Sequence, residues 1–212
     1  GFRPAGDTRG PGRNSSQNRD LANPDMGTAS PPAKGSAGHG PAYWLYGFHA
    51  VQAALDNPRR LLRRLLVTAE AAASIRISTS NPTRPETVDR TALDRALPAG
   101  AVHQGVAALA EPLEEPDLDT VLDGLKDGQP ATILLLDQVT DPQNVGAVLR
   151  SAAAFGAAAV VVPRHHAPPV TGVLAKAASG ALEHVELVRV GNLVQALERM
   201  AESGFWSVAL DG

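Results

Sequence analysis

From Pro130 onward the chain alternates between short apolar runs and amphipathic stretches. The runs lie at Thr132–Leu136, Ala158–Val162, Val185–Val190 and Trp206–Leu210, and helices are expected between them at Pro142–Phe155, Val170–Ala178 and Asn192–Ser203. Strands that are apolar at successive positions suit a sheet covered on both faces, and strand–helix alternation makes that sheet parallel. An all-helical bundle or a one-faced antiparallel sheet is thereby excluded for this half. In such sheets ligands gather outside the carboxyl ends of the strands. The first strand–turn–helix, Ile133 to Gly156 (ILLLDQVTDPQNVGAVLRSAAAFG), is therefore the stretch that says most about function.

Its apolar run stops at Asp137, and a polar turn follows with Asp141, Pro142 and Asn144. Asp141 before Pro142 is a good helix start, an N-cap acceptor followed by proline at the first helical position. Val145, Val148, Leu149 and Ala152 form the stripe that should face the sheet. At about 100° per residue, Arg150 lies roughly 150° from that stripe and does not point into the core. The small residues Gly146, Ala147, Ala152–Ala154 and Gly156 let another element pack very close. On spacing alone the bland reading is a capped helix with a solvated arginine. The chemical reading is an arginine beside a helix N-terminus that positions a phosphate or an alcohol.

The chain before Pro130 divides in three. Residues 1–42 are dense in Gly, Pro, Ser, Asn and Arg, with Arg3, Arg9, Arg13, Arg19 and Lys34 against Asp7, Asp20 and Asp25. Such a segment buries too little apolar surface to offset its ordering entropy, so a disordered, mildly basic tail is expected. The aspartates and the missing amphipathic pattern argue against a transit peptide. Order should begin near Tyr43 and run to Glu111 as a small α/β unit: helix Gly47–Leu55, strand Leu61–Thr68 with Arg63 and Arg64 outward, a short helix Ala69–Ala73, a loop Ile75–Pro85, helix Asp89–Leu97 and strand Val102–Ala110. Residues 112–129 are acidic and carry Pro112 and Pro116, which reads as a solvated tether with a helical turn or two at Asp119–Leu125. The parallel-sheet unit would then occupy 130–212.

With 43% hydrophobic and 19% charged residues the 212-residue chain is globular in composition. Its net charge of -3 shows no global basic field, though a local patch would suffice for RNA. There are no cysteines, which removes disulfides and thiolate chemistry. No apolar run reaches the ~20 residues of a membrane span, and no signal peptide is visible, so a cytoplasmic protein is expected. No GxGxxG follows the first strand and no GxSxG elbow occurs, which disfavours a dehydrogenase and a serine hydrolase. His165 and His166, beside Arg164, have no spaced third ligand, so no metal site is expected.

The string DQVTDPQNVGAVLRSAAAFGA resembles the first motif of the SpoU/TrmH family of RNA ribose 2′-O-methyltransferases, members of the knotted SPOUT superfamily. KAASGALEHVELVRVGNL, at 176–193, is similar to the 23S rRNA guanosine-2′-O-methyltransferase branch. GFHAVQAAL and VHQGVAALAEP resemble that branch's N-terminal RNA-binding domain. The resemblance runs from Tyr46 to Gly212. It implies a small N-terminal α/β RNA-binding domain joined to the N-terminal part of a parallel-sheet α/β knot methyltransferase domain. The cofactor it implies is S-adenosylmethionine, the substrate RNA (23S rRNA, with tRNA as the alternative) and the assembly a homodimer.

Residue by residue, Asn144 and Arg150 match the family's first-motif asparagine and arginine, and Glu183 matches the glutamate of its GAxEH segment. The resemblance implies that Arg150 assists attack of a ribose 2′-OH on the methyl of S-adenosylmethionine. A guanidinium stays protonated in proteins, so orientation and stabilisation of the developing alkoxide suit it better than the role of base. Asn144 would hold Arg150 or the ribose, and Lys176, Ser179, Glu183 and His49 would face RNA, with surface or capping chemistry as the competing reading for Lys176 and Ser179. For His49 and His103 a core or capping role competes with that reading. The family's second motif, a GxEGxG-like loop, and its third, an N-S-containing segment, are not in the chain. The knot and the cofactor-binding residues are thus expected downstream of Gly212, and a noncatalytic RNA-binding module or inactive fragment is the alternative. On this expectation calorimetry of the 212 residues with S-adenosylmethionine gives no micromolar binding, and a micromolar isotherm would refute it.

Overall fold

The computed structural model describes residues 40–79, 81, 83–125 and 129–210; the expected tail, apart from its last three residues, lies outside them. Two sheets organise the rest. The first has four strands in the order β1-β4-β2-β3: β1 (Tyr43–Tyr46), β2 (Leu62–Val67), β3 (Pro85–Thr87) and β4 (Val106–Ala110). β4 is antiparallel to both β1 and β2, while β3 runs parallel to β2. The second is the three-stranded parallel sheet β5-β6-β7, built from β5 (Ile133–Leu135), β6 (Ala159–Pro163) and β7 (Glu186–Val190).

Period-2 alternation decides what each sheet face touches. In the second sheet Val160, Val162 and Leu187 point one way, into a core shared with α5 (Pro142–Ala154), α6 (Gly172–Ala178), α1 (Phe48–Asp56) and the first sheet. That core holds Leu45, Val51, Leu55 and Leu65 from the N-terminal half together with Val145, Leu149 and Leu174 from the C-terminal half. The opposite face of the second sheet, with Ala159, Val161 and Val188, is covered by α4 (Leu118–Asp123) and α7 (Leu193–Glu202). The outer face of the first sheet is covered by α3 (Arg90–Ala96), through Leu93 and its C-cap Leu97. The two sheets therefore share one interior, with helices between them.

The helix ends follow their sequence signals. Asp89, Asp117 and Asp141 each accept a backbone N–H of the helix they begin, at 2.7, 2.7 and 3.0 Å. Each acceptor satisfies one of the donors a helix start leaves orphaned. Thr68 does the same for the short helix α2 (Ala69–Ala72) at 3.3 Å.

Four expectations need correction. The strand expected at Val102–Ala110 begins only at Val106, because Gln104 and Gly105 both adopt positive φ (55° and 80°) and end the extended run. Pro85, assigned to a loop, instead opens β3, paired with Leu65. Trp206–Leu210 has the alternation of a strand but pairs with none among the described residues, and Trp206, Val208 and Leu210 are 85–98% exposed. A strand needs a ladder partner as well as a pattern. Finally, the acidic segment after Glu111 is not a solvated tether throughout: Leu118, Val121 and Leu122 are buried against Ala196 and Met200 on the second sheet. Its carboxylates sit on the outer side of an amphipathic helix, which hides the apolar face in a simple charge count.

Leu122→Ala is accordingly expected to cost about 2–5 kcal/mol of unfolding free energy in urea titration, the usual range for a buried leucine. A change within about 0.5 kcal/mol, as for an ordinary surface position, would restore the tether.

Candidate functional site

The C-terminal end of α6 is where the candidate residues meet. α5 lies across α6 at very short range, and Gly146 makes this geometry possible. A Cβ at Gly146 would fall 2.5 Å from the Ala177 Cβ and 2.8 Å from the Ala178 backbone nitrogen, too close for any side chain. One turn further along the same side of α5 is Arg150. Its Nη1 donates to the Ala177 carbonyl at 3.1 Å, one of the acceptors that a helix C-terminus leaves unsatisfied. A cation there also meets the negative end of the helix. Arg150 is exposed and lies off the sheet-facing stripe, as its helical angle implies, yet it is held by a neighbouring helix rather than free in solvent.

α6 ends at Ser179, which is left-handed (φ 51°, ψ 38°), followed by Gly180, also left-handed at φ 93°. Two such residues in succession reverse the chain into a 3-10 turn, Ala181–Glu183. Gly180 rests on α1: a Cβ there would lie 2.7 Å from the Ala53 Cβ and 3.2 Å from the His49 carbonyl oxygen. His49 itself is exposed in the first turn of α1, its ring edge-on to Phe48 at 5.8 Å. Lys176, half-buried, donates from Nζ to Gln104 Oε1 at 3.0 Å. The same oxygen accepts the Phe48 N–H at 3.1 Å, so Gln104 caps α1 from a distant loop. Partial burial pushes the Lys176 ammonium below its usual range. Arg150 thus meets the end of α6, which carries Lys176 in its last turn and Ser179 at its cap, while His49 belongs to the helix on which Gly180 rests.

Two of the sequence candidates sit elsewhere. Asn144 is exposed in the first turn of α5, six residues or about 9 Å of helix rise from Arg150. Its side chain has no hydrogen bond among the described residues, so it does not hold Arg150 here. Glu183, expected to face RNA, is buried with its side chain 2% exposed. Arg60 Nε lies 3.1 Å from both of its oxygens, Arg60 Nη2 is 2.6 Å from Oε1, and Asn57 Nδ2 is 2.7 Å from Oε2. A carboxylate so surrounded has no face left for a substrate. Its GAxEH setting looked like surface chemistry because its partners lie more than 120 residues away. Arg60, Asn57 and Gln104 carried no sequence signal. For Arg60, burial works against the charge, but the hydrogen bonds and charge of Glu183, with Tyr43 adding to them, hold the guanidinium above its ordinary value. His103 is buried, with Gly105 N–H donating to Nδ1 at 3.0 Å and Nε2 at 3.2 Å from Asp94, a capping role.

His165 and His166 are exposed in the loop after β6, and no group of three or more His, Cys, Asp or Glu side chains among the described residues is arranged to hold a metal. No described helix is long and apolar enough to cross a membrane. Near that loop a groove of about 590 Å³ opens between Pro112, Glu114, Glu115, Arg164, Pro169 and Arg189. Arg189 is already bound to Glu115 and to the Pro168 carbonyl.

Comparison with known proteins agrees with this architecture. Residues 131–212 match the SpoU rRNA methylase family, and residues 44–116 match the RNA 2′-O ribose methyltransferase substrate-binding family. The 23S rRNA (guanosine-2′-O-)-methyltransferase RlmB of Vibrio vulnificus is 40% identical over 183 residues, covering 80% of the chain and 70% of that protein. An uncharacterised tRNA/rRNA methyltransferase of Synechocystis is 41% identical over 169 residues, covering 76% of the chain and 44% of that protein. Among solved structures, a protein assigned to the TrmH family of RNA methyltransferases from Porphyromonas gingivalis superposes with TM-score 0.58 at 25% identity, over 77% of the chain and 60% of its own. The SpoU methyltransferase AviRb of Streptomyces viridochromogenes, in complex with AdoMet, shares the fold at TM-score 0.55 and 21% identity, over 76% of the chain and 60% of its own. The chain belongs to the SpoU/TrmH family of RNA methyltransferases. It spans between 44% and 70% of the length of the two curated relatives named.

Gly146→Val places a branched side chain where even a Cβ has no room. A stability loss of about 1–3 kcal/mol is expected from chemical denaturation, the cost of overpacking. An unchanged midpoint would show that α5 and α6 are not in contact there.

Proposed function

We propose that this chain forms the substrate side of an S-adenosylmethionine-dependent RNA ribose 2′-O-methyltransferase acting on a guanosine of 23S rRNA. The observation that carries the proposal is the placement of Arg150. It is exposed and anchored through Nη1 on the end of α6, the helix that carries Lys176 and ends at Ser179. A ribose 2′-OH is a weak nucleophile and must shed its proton as it attacks. A fixed guanidinium answers that need by stabilising the developing alkoxide and orienting an adjacent phosphate. Anchoring one nitrogen leaves the other guanidinium donors for substrate.

In this reading residues 43–111 grip the RNA, 112–129 connect, and 130–212 present the catalytic arginine, with Asn144 contacting the ribose from the start of α5. Lys176, Ser179 and His49 supply backbone contacts, which position an RNA without reading its sequence. The methyl group comes from S-adenosylmethionine, to which no residue described here is assigned. RlmB of Vibrio vulnificus, named for 23S rRNA, favours ribosomal over transfer RNA. Cytoplasmic location and homodimeric assembly belong to the same reading and rest on family membership.

In the parent enzyme Arg150→Ala is expected to abolish methyl transfer while the circular dichroism spectrum and melting temperature stay near those of the parent, because the side chain is exposed. Methylation persisting near the parent rate refutes the assignment. Lys176→Ala is expected to weaken binding of a 23S rRNA transcript and to lower the slope of log K against log salt by about one.

A further inference from the structure

The ion pair beneath the Ser179–Gly180 turn has no part in the chemistry assigned above. Glu183 closes the turn that begins at Ala177, whose carbonyl holds Arg150. Backbone bonds order each side of the turn: Ser179 N–H donates to the Ala175 and Lys176 carbonyls, both at 3.1 Å, and Glu183 N–H to the Gly180 carbonyl at 3.0 Å. The Glu183 carboxylate is held entirely from the N-terminal half, by Arg60 and Asn57. Arg60 is itself fixed, donating from Nη1 to the Glu111 carbonyl at 2.8 Å and to the Tyr43 hydroxyl at 3.3 Å, while its own carbonyl accepts from Asn81 at 2.8 Å. The side chains of Arg60 and Glu183 are 1% and 2% exposed. An apolar pair of similar volume often stabilises a fold as well as a buried ion pair does, so an energetic role does not single this cluster out. What it offers is a fixed geometry.

We infer that Arg60 and Asn57 are positioning residues for Arg150. They seat Glu183, and through it the 177–183 turn, and so set the direction in which the Arg150 guanidinium is presented. The inference rests on the reading of Arg150 as the catalytic arginine. On this view the N-terminal unit shapes the site as well as gripping the substrate. Gly180 packed on α1 is a second support for the same turn. Loss of the ion pair therefore loosens the turn without releasing it.

The test replaces both charges, Arg60→Met with Glu183→Leu, since either change alone leaves a buried charge unpaired. The readout is the heteronuclear NOE of the Arg150 Nε–Hε group in the full 212-residue chain. In the parent it matches the values of ordered backbone amides. In the double variant it is reduced, while the amide shifts of β2, β4 and β6 stay in place, and affinity for a 23S rRNA transcript falls roughly tenfold. A folded double variant that keeps the parent NOE overturns the inference. Should the double variant not fold, Asn57→Ser removes one donor to Glu183 and spares the ion pair; a reduced NOE then supports the inference and an unchanged one overturns it. If the parent chain fails to bind the transcript, the RNA reading fails, and the NOE comparison still decides the positioning role.

Discussion

Arg60 and Glu183 meet in the interior between the two sheets, at 2.6 Å from Nη2 to Oε1. Neither could be there alone. Removing one partner from a buried pair leaves an uncompensated charge, at a typical cost of about 3–5 kcal/mol. Here each partner is held by several hydrogen bonds, and among the described residues no buried side-chain nitrogen or oxygen lacks a partner. Because Arg60 comes from the N-terminal half and Glu183 from the C-terminal half, the pair can exist only when both halves are folded and docked. Leu45, Val51, Val160 and Leu174 close the same interior in apolar terms. An electrostatic requirement and a hydrophobic one thus enforce the same docking.

The candidate site inherits its shape from that docking. Gly146 admits α6 to the backbone of α5, and Gly180 seats the next turn on α1. These approaches bring the exposed Arg150 onto the Ala177 carbonyl and the half-buried Lys176 onto Gln104. A guanidinium that is already bound on one side loses less side-chain freedom when it meets a substrate, which is the general advantage of a preorganised site.

Much of the fold was legible in the sequence because local rules and tertiary packing agreed. Apolar continuity marked β6 and β7, the Asp141–Pro142 pair marked the start of α5, and the position of Arg150 off the stripe followed from helix geometry. The failures have physical causes. Trp206–Leu210 has a strand's pattern without a ladder partner, and Gln104 and Gly105 break an extended run through positive φ, which composition does not reveal. The burial of Glu183 was hidden because its partners Arg60 and Asn57 are 123 and 126 residues away. A sequence motif can show that a glutamate matters. Whether it faces substrate or interior depends on contacts that no local window contains.

Native-state hydrogen exchange measures most directly whether the two halves are one body with the site at their junction. The account predicts that amides of β2 and β4 share the exchange free energy, denaturant dependence and global opening of those of β6 and β7, with the amides of Glu183 and His184 in the same cooperative unit. A separate, lower-energy opening that exposes β2 and β4 while β6 and β7 stay protected would contradict it.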